Sequence, residues 1–433
     1  MNLFRAIELR GLIIVLMLML STYCFSQESD QKIPDGTEGE MLEVVKSDTV
    51  PKTWREKRWR LFPGKLTTFK FGGGFLYEFA GYQQDSESKR QMDSLGTPLK
   101  PAFAVRDFRI VASGQFKTKR ILSWKLGLMY DGPSRSWFVR ETGLMINVPE
   151  LWGNIFVGRT KEGFSLNKVM NGYSGWTMER QMAIDVIPIL ADGIKWLGYL
   201  PKKRIFWNAG AYIDWLSKSQ SFSTFRWQTA VRAGWLPVYS PANKTVLHIA
   251  ANYRYGEPEN GEIRLSSRPE ANPAPKFIDT GKFQSDHSNQ FGVEGYYVAG
   301  PLMFGSEVYW HAFNSATVDD PVFFGGEVVA SYMLTGESRP YNTATGILGF
   351  VPVTKSVFKG GPGAWEVLVR ASTLDLNAGT LKGGKFWRIT PMVNWYLNKD
   401  IRLELAYGYG VLDRFNLKGA TQFFQTRLQF TLL

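Results

Sequence analysis

The chain has 433 residues, with 51 Lys and Arg against 39 Asp and Glu for a formal net charge of +12, and it is 44% hydrophobic and 15% aromatic. So apolar a composition excludes a disordered chain. One cysteine and three histidines, without Cys/His ligand spacing, exclude a disulfide framework and a zinc module, and no cofactor is implied.

At the N-terminus Arg5 and Arg10 precede the apolar run Leu12 to Leu20, followed by polar Ser21 and Thr22. This pattern predicts a signal peptide over residues 1–26, cleaved after Ser26, with the sole cysteine, Cys24, in the removed part. The run is too short for a spanning helix, which takes about 20 residues. Residues 27–65 are expected to form a flexible periplasmic lead-in. Gln27 to Val50 is polar and acidic, and the segment Trp54 to Arg60 then reverses the charge.

From residue 66 to 433 the chain alternates with a period of two. In one stretch Phe225, Trp227, Thr229, Val231, Ala233 and Trp235 share a face opposite Arg226, Gln228 and Arg232; in another, Leu247, Ile249, Ala251 and Tyr253 oppose His248, Asn252 and Arg254. Segments of this kind are predicted at 67–80, 103–116, 121–131, 136–147, 152–160, 205–216, 223–235 and 245–256. Eight more follow at 261–267, 289–299, 301–313, 322–334, 364–376, 384–397, 400–412 and 421–433. Long strands with an apolar, aromatic-tipped face and a charged face suit lipid outside and water inside. The fold expected is therefore an all-β, sixteen-stranded antiparallel transmembrane β-barrel, wide enough for an aqueous channel.

Three connections, 161–204, 268–288 and 335–363, are long enough to need a purpose, and in a barrel they are expected to fold inward and narrow the pore. Over Gly158 to Leu166 and Met178-Glu179-Arg180 the chain resembles the phosphate-selective porin O and P family. The likeness continues through Arg264 to Glu270, Phe277 to Gly281, Leu334 to Arg339, Gly363 to Val367 and Asn394 to Asn398. The resemblance implies an outer-membrane porin of a Gram-negative bacterium, surrounded by outer-membrane lipid, homotrimeric, with inward-folded loops and a basic lumen for small anions such as phosphate.

Strand parity turns Arg109, Lys125, Arg226, Arg232, Arg254, Arg370, Arg388, Arg402 and Arg427 toward the lumen, together with eight carboxylates including Asp107, Glu294, Glu307 and Glu327. Arginine suits an anion path because its planar fork pairs with phosphate bidentately. The wall is nearly balanced, whereas 161–204 holds seven basic residues against four acidic ones, so the loop is expected to carry the anion bias. The candidate anion-binding residues are Lys161, Lys168, Arg180, Arg226, Arg232, Arg254, Arg370 and Arg388. His248 and His311 point to the lumen by parity and read as solvated polar residues. Gly72-Gly73-Gly74 lacks the Lys-Ser/Thr of a phosphate-cradling loop.

No nucleic-acid partner is expected, since aromatics and charges occupy opposite faces and form no shared stacking platform. Catalysis is not expected either: His287 is read in a loop beside Asp286 and Ser288, and adjacent side chains of an extended segment diverge. A general non-selective porin and a structural barrel with a closed lumen stay open as alternatives.

Overall fold

A computed structural model describes residues 61–215 and 225–432; the expected signal peptide, and the lead-in as far as residue 60, lie outside the described residues. The wall begins with β1 (Thr68–Gln84), β2 (Ala102–Phe116) and β3 (Leu122–Asp131). Strand β4 comes in two pieces, Ser136–Val139 and Thr142–Val148, and is followed by β5 (Gly153–Thr160), β6 (Ala191–Leu200) and β7 (Ile205–Ile213). Next are β8 (Phe225–Ser240), β9 (Thr245–Pro258), β10 (His287–Ala299), β11 (Leu302–Asn314) and β12 (Val322–Met333). The wall ends with β13 (Ala364–Ala378), β14 (Leu381–Tyr396), β15 (Ile401–Arg414) and β16 (Leu417–Leu432). Each strand pairs antiparallel with the next, and β16 pairs back onto β1, so sixteen strands close into a barrel.

The count agrees with expectation, but two segments trade places. Residues 261–267, expected in the wall, form a small hairpin instead, Glu262–Ser267 pairing with Ile278–Gln284. Residues 191–200, expected inside a loop, are wall strand β6, paired with both β5 and β7. The alternation of 261–267 is real: Ile263 and Leu265 are buried, but against apolar residues inside the barrel mouth, not against lipid.

Polarity runs inside out relative to a soluble sheet. Val231, Trp235, Ile249, Phe291, Phe304 and Trp310 are exposed on the outer surface, while lumen-facing Arg232, Arg254, Glu294 and Glu307 are buried. A charged face can be turned inward because long connections enter the lumen and supply partners that hydrocarbon cannot. With an even strand number, β1 begins and β16 finishes at the same end, here termed the terminal end. Connections 161–190 and 259–286 enter from the opposite, loop end, and 334–363 enters from the terminal end. They build two apolar clusters within the barrel. Met182, Ile184, Leu265 and Phe277 pack on Phe313, Leu374 and Phe386; Leu166, Trp176, Ile347 and Leu348 pack on Phe206, Val246 and Leu368. Much of the lumen along β8–β16 is therefore filled.

Candidate functional site: a basic eyelet beside the barrel wall

Open volume remains along β1–β6. A cavity of about 600 Å³ lies among Arg106, Asp131, Arg180, Ile187 and Arg268, and shares Arg109 and Asn171 with a smaller one of about 70 Å³. Around the smaller cavity stand Arg109 from β2, Lys125 from β3, Arg140 from β4, Lys161 at the head of 161–190 and Lys195 from β6. Against these five cations the lining holds a single carboxylate, Glu141.

Backbone irregularity creates part of this set. Between the pairs Lys125↔Gly143 and Leu128↔Val139, β3 contributes two residues and β4 three. Such a bulge re-aims side chains, and here consecutive Arg140 and Glu141 both line the cavity. A second shift, opposite Leu76 and Tyr77, turns consecutive Arg106 and Asp107 onto the larger cavity. Strict parity would send one member of each pair to lipid. Arg140 and Lys195 were thus missed in the sequence, the first through the bulge and the second because β6 was read as loop. Arg109 and Lys125 were read on the wall but not among the candidate sites.

The eyelet is braced from within. The Arg109 guanidinium lies 4.2 Å from the Tyr173 ring centroid, and the Tyr173 hydroxyl donates to Asp107 Oδ1 at 2.6 Å. Tyr173 fits because position 74 is glycine; a Cβ there would meet its ring at 2.1 Å. Glu141 lies 3.3 Å from Lys161 Nζ, which also donates to the Met170 carbonyl at 2.7 Å. Burial, reinforced by Arg180, Arg140 and Lys125, pushes the Lys161 ammonium down to about 7 despite Glu141.

The other sequence-predicted residues separate by role. Arg180 donates to the carbonyls of Asn167 and Met170 and lines the larger cavity. Lys168 is buried on Glu162 at 2.7 Å, and Arg254 holds the same Glu162 at 3.0 Å while lying over the Phe225 ring. Arg232 is buried against Glu294 and donates to the carbonyls of Thr345 and Gly346. Arg370 ties Glu270 at 2.6 Å to the Glu179 carbonyl, and Arg388 donates to the carbonyls of Pro269 and Glu270. These four arginines fasten inward connections to the wall. Arg226 does not face the lumen: a register shift between Phe225 and Trp227 leaves its side chain 68% exposed, paired with Glu257, and puts Phe225 inside.

The connection expected to carry the basic excess is also shorter and balanced. Within 161–190, Lys161, Lys168 and Arg180 meet Glu162, Glu179 and Asp185, while Lys195 belongs to the wall and Lys202, Lys203 and Arg204 to a turn at the terminal end. His248 and His311 do face inward but are buried rather than solvated, His248 between Glu294 and Tyr341. His287 is the first residue of β10, not a loop residue.

A closed sixteen-stranded barrel with an apolar outer belt, inward loops and a cation-lined cavity beside its wall has the architecture of an outer-membrane porin. The chain belongs to the phosphate-selective porin O and P family, whose model matches residues 70–432. Among solved structures it is similar to OmpF of Salmonella typhi in complex with daunomycin, at 10% identity over 86% of this chain and 100% of that one, TM-score 0.55. It is also similar to the trimer form of OmpT of Vibrio cholerae (12%, 85% and 100%, TM-score 0.52) and to an anion-selective porin from Comamonas acidovorans (10%, 84% and 99%, TM-score 0.50). These likenesses show the fold. An uncharacterized protein of Caulobacter vibrioides is 30% identical over 189 residues, 42% of this chain, and the match spans 37% of that protein's length.

Proposed function

We propose that this porin passes small anionic solutes, phosphate among them, and that the eyelet beside β2–β6 selects them by sign. The observation that carries this reading is the set of five cations, Arg109, Lys125, Arg140, Lys161 and Lys195, around one narrow cavity with a single acid. Low-dielectric walls focus such a field, and several weak cationic sites in series let an anion enter and leave. The likeness to the anion-selective porin of Comamonas acidovorans supports the same direction. The trimer form recorded for OmpT supports a homotrimer, and the sequence pattern supports removal of residues 1–26 on export.

Reversal potential in a KCl gradient across a planar bilayer tests the proposal. The wild-type channel should favour chloride over potassium, and Arg109→Gln with Lys125→Gln should move the potential toward zero. A wild-type channel without anion preference would sink the reading and leave a general porin.

A further inference from the structure

The terminal end carries a predominantly basic rim. Among the described residues, the turn 117–121 supplies Lys117, Lys119 and Arg120, and the turn 201–204 supplies Lys202, Lys203 and Arg204. Connections 64–67, 241–244, 351–360 and 397–400 add five lysines, and all eleven cations are exposed. The carboxylates here are few: Glu150 lies 2.7 Å from Arg120, Asp400 is half-buried and Glu337 is buried. The loop end has no such bias. Connection 259–286 mixes five acids with four basic residues, and 315–321 holds Asp319 and Asp320 with no cation.

Depth in the membrane follows from the neighbours of these cations. Lys65 precedes exposed Leu66, Arg204 precedes exposed Ile205, and Lys359 follows Phe358, which is 64% exposed. Exposed Trp152, Trp196 and Trp235 and the stacked pair Trp365 and Trp395 lie at the same end. An aromatic belt of this kind marks the boundary between hydrocarbon and headgroups, so cations next to it in the chain stand at headgroup depth.

We propose that this rim binds the anionic headgroups of the phospholipid leaflet on the terminal side. The cations are spread over turns joining β2 to β3, β6 to β7, β8 to β9, β12 to β13 and β14 to β15. A globular partner docks on one patch, whereas a leaflet surrounds the barrel and meets every turn. Each Lys or Arg at an anionic bilayer surface adds attraction that fades within a Debye length. The rim therefore orients the barrel and enriches acidic lipid around it, whatever passes through the pore.

The full chain, folded into phosphatidylcholine vesicles containing phosphatidylglycerol, tests this through quenching of its tryptophans by brominated forms of either lipid. Brominated phosphatidylglycerol should compete about threefold or better over brominated phosphatidylcholine, with the preference shrinking as salt rises. The variant Lys117→Gln, Lys119→Gln, Lys202→Gln, Lys203→Gln, Arg204→Gln should lose most of it while keeping the heat-modifiable gel mobility of a folded barrel. A wild-type preference near one, or a folded variant that retains the full preference, overturns the proposal. Should the variant not fold, the wild type decides, because a preference indifferent to salt overturns it equally. A preference seen only after deleting residues 27–50 would assign the rim to that acidic segment and also overturn it.

Discussion

A lysine buried among other cations gives up its proton more readily than one in water. Lys161 stands beside Arg140, Arg180 and Lys125 with one carboxylate, Glu141, in reach, and its ammonium is brought down to about 7. Below that pH it is protonated and adds a positive charge to the eyelet; above it the charge is gone. Anion preference should therefore fall between pH 6 and pH 8, set about one unit either side of that value, and Lys161→Gln should flatten the change. Reversal potentials across the range check this, and an unchanged slope in the variant would remove Lys161 from the mechanism. Glu307 shows the opposite use of charge. Its carboxylate accepts from Ser165 Oγ at 2.6 Å, the Asn167 backbone N–H at 2.9 Å and Gln181 Nε2 at 3.2 Å, all on connection 161–190, and from Tyr296 at 2.7 Å. The clamp holds Ser165 at φ 67°, a conformation rare for a residue with a side chain. Glu307→Ala leaves these donors unpaired at about 1–3 kcal/mol each, so the variant should show noisier open-channel current and weaker selectivity, with Glu307→Gln intermediate. Neither Lys161 nor Glu307 was opaque in the sequence, since both faced inward in the reading. Their roles were not legible, because an inward carboxylate looks alike whether it repels a permeating anion or fastens a loop.

Among elements, alternation reported strands faithfully but not where they lie. Strand β6 was hidden because Lys195 is the one charged residue between Ile194 and Leu200 and the next inner position, Leu197, packs on Met145 and Phe156, so the polar face is too short to read as a lumen face. The hairpin at Glu262–Ser267 and Ile278–Gln284 was misplaced for the converse reason: Ile263, Leu265, Ile278 and Phe283 form one apolar face that covers the loop-end cluster instead of meeting lipid. Bulges set the remaining limit, because each reverses parity and re-aims charged residues that a strict period of two assigns to the wrong side. The hairpin's place in the barrel mouth has a consequence. Its connection is fastened by Arg370 to Glu270 and by Arg388 to the carbonyls of Pro269 and Glu270, and Asp185 of connection 161–190 accepts from Ser267 at 2.7 Å. Replacing residues 262–284 by a short Gly-Ser linker should widen the larger cavity and raise single-channel conductance severalfold, while the eyelet keeps its sign preference. A shortened protein with unchanged conductance would show that the hairpin does not limit the current.

For the whole molecule, the filling of one side of the lumen leaves the eyelet and its neighbouring cavity on the other. Apolar clusters built from 161–190, 259–286 and 334–363 occupy much of the space against β8–β16; the eyelet and the cavity beside it lie toward β1–β6, and a further cavity of about 370 Å³ opens at the terminal end beside β8–β10, so an anion path through the eyelet would run off-centre rather than along the axis. The same arrangement explains how so many lumen charges are buried. Arg232, Arg254, Arg370 and Arg388 are each held by carboxylates, side-chain amides or backbone carbonyls, several of them brought in by the connections, which offsets the cost of burying them. An anion therefore cannot use those arginines without first displacing the chain that holds them, whereas Arg109, Lys125, Arg140 and Lys195 on the β1–β6 side line a cavity. Thiol labelling separates the two sides cleanly, because the chain's one cysteine, Cys24, precedes the barrel. A cysteine at position 125, made by Lys125→Cys on the eyelet wall, should react within the open channel with a negatively charged thiosulfonate and lose most of its current. Ala250→Cys on β9, buried in the terminal-end cluster at 5% exposure, should stay unmodified and conduct as before. Equal reaction at both positions would mean that the interior is wet across its full width and that the passage is not confined to the eyelet side.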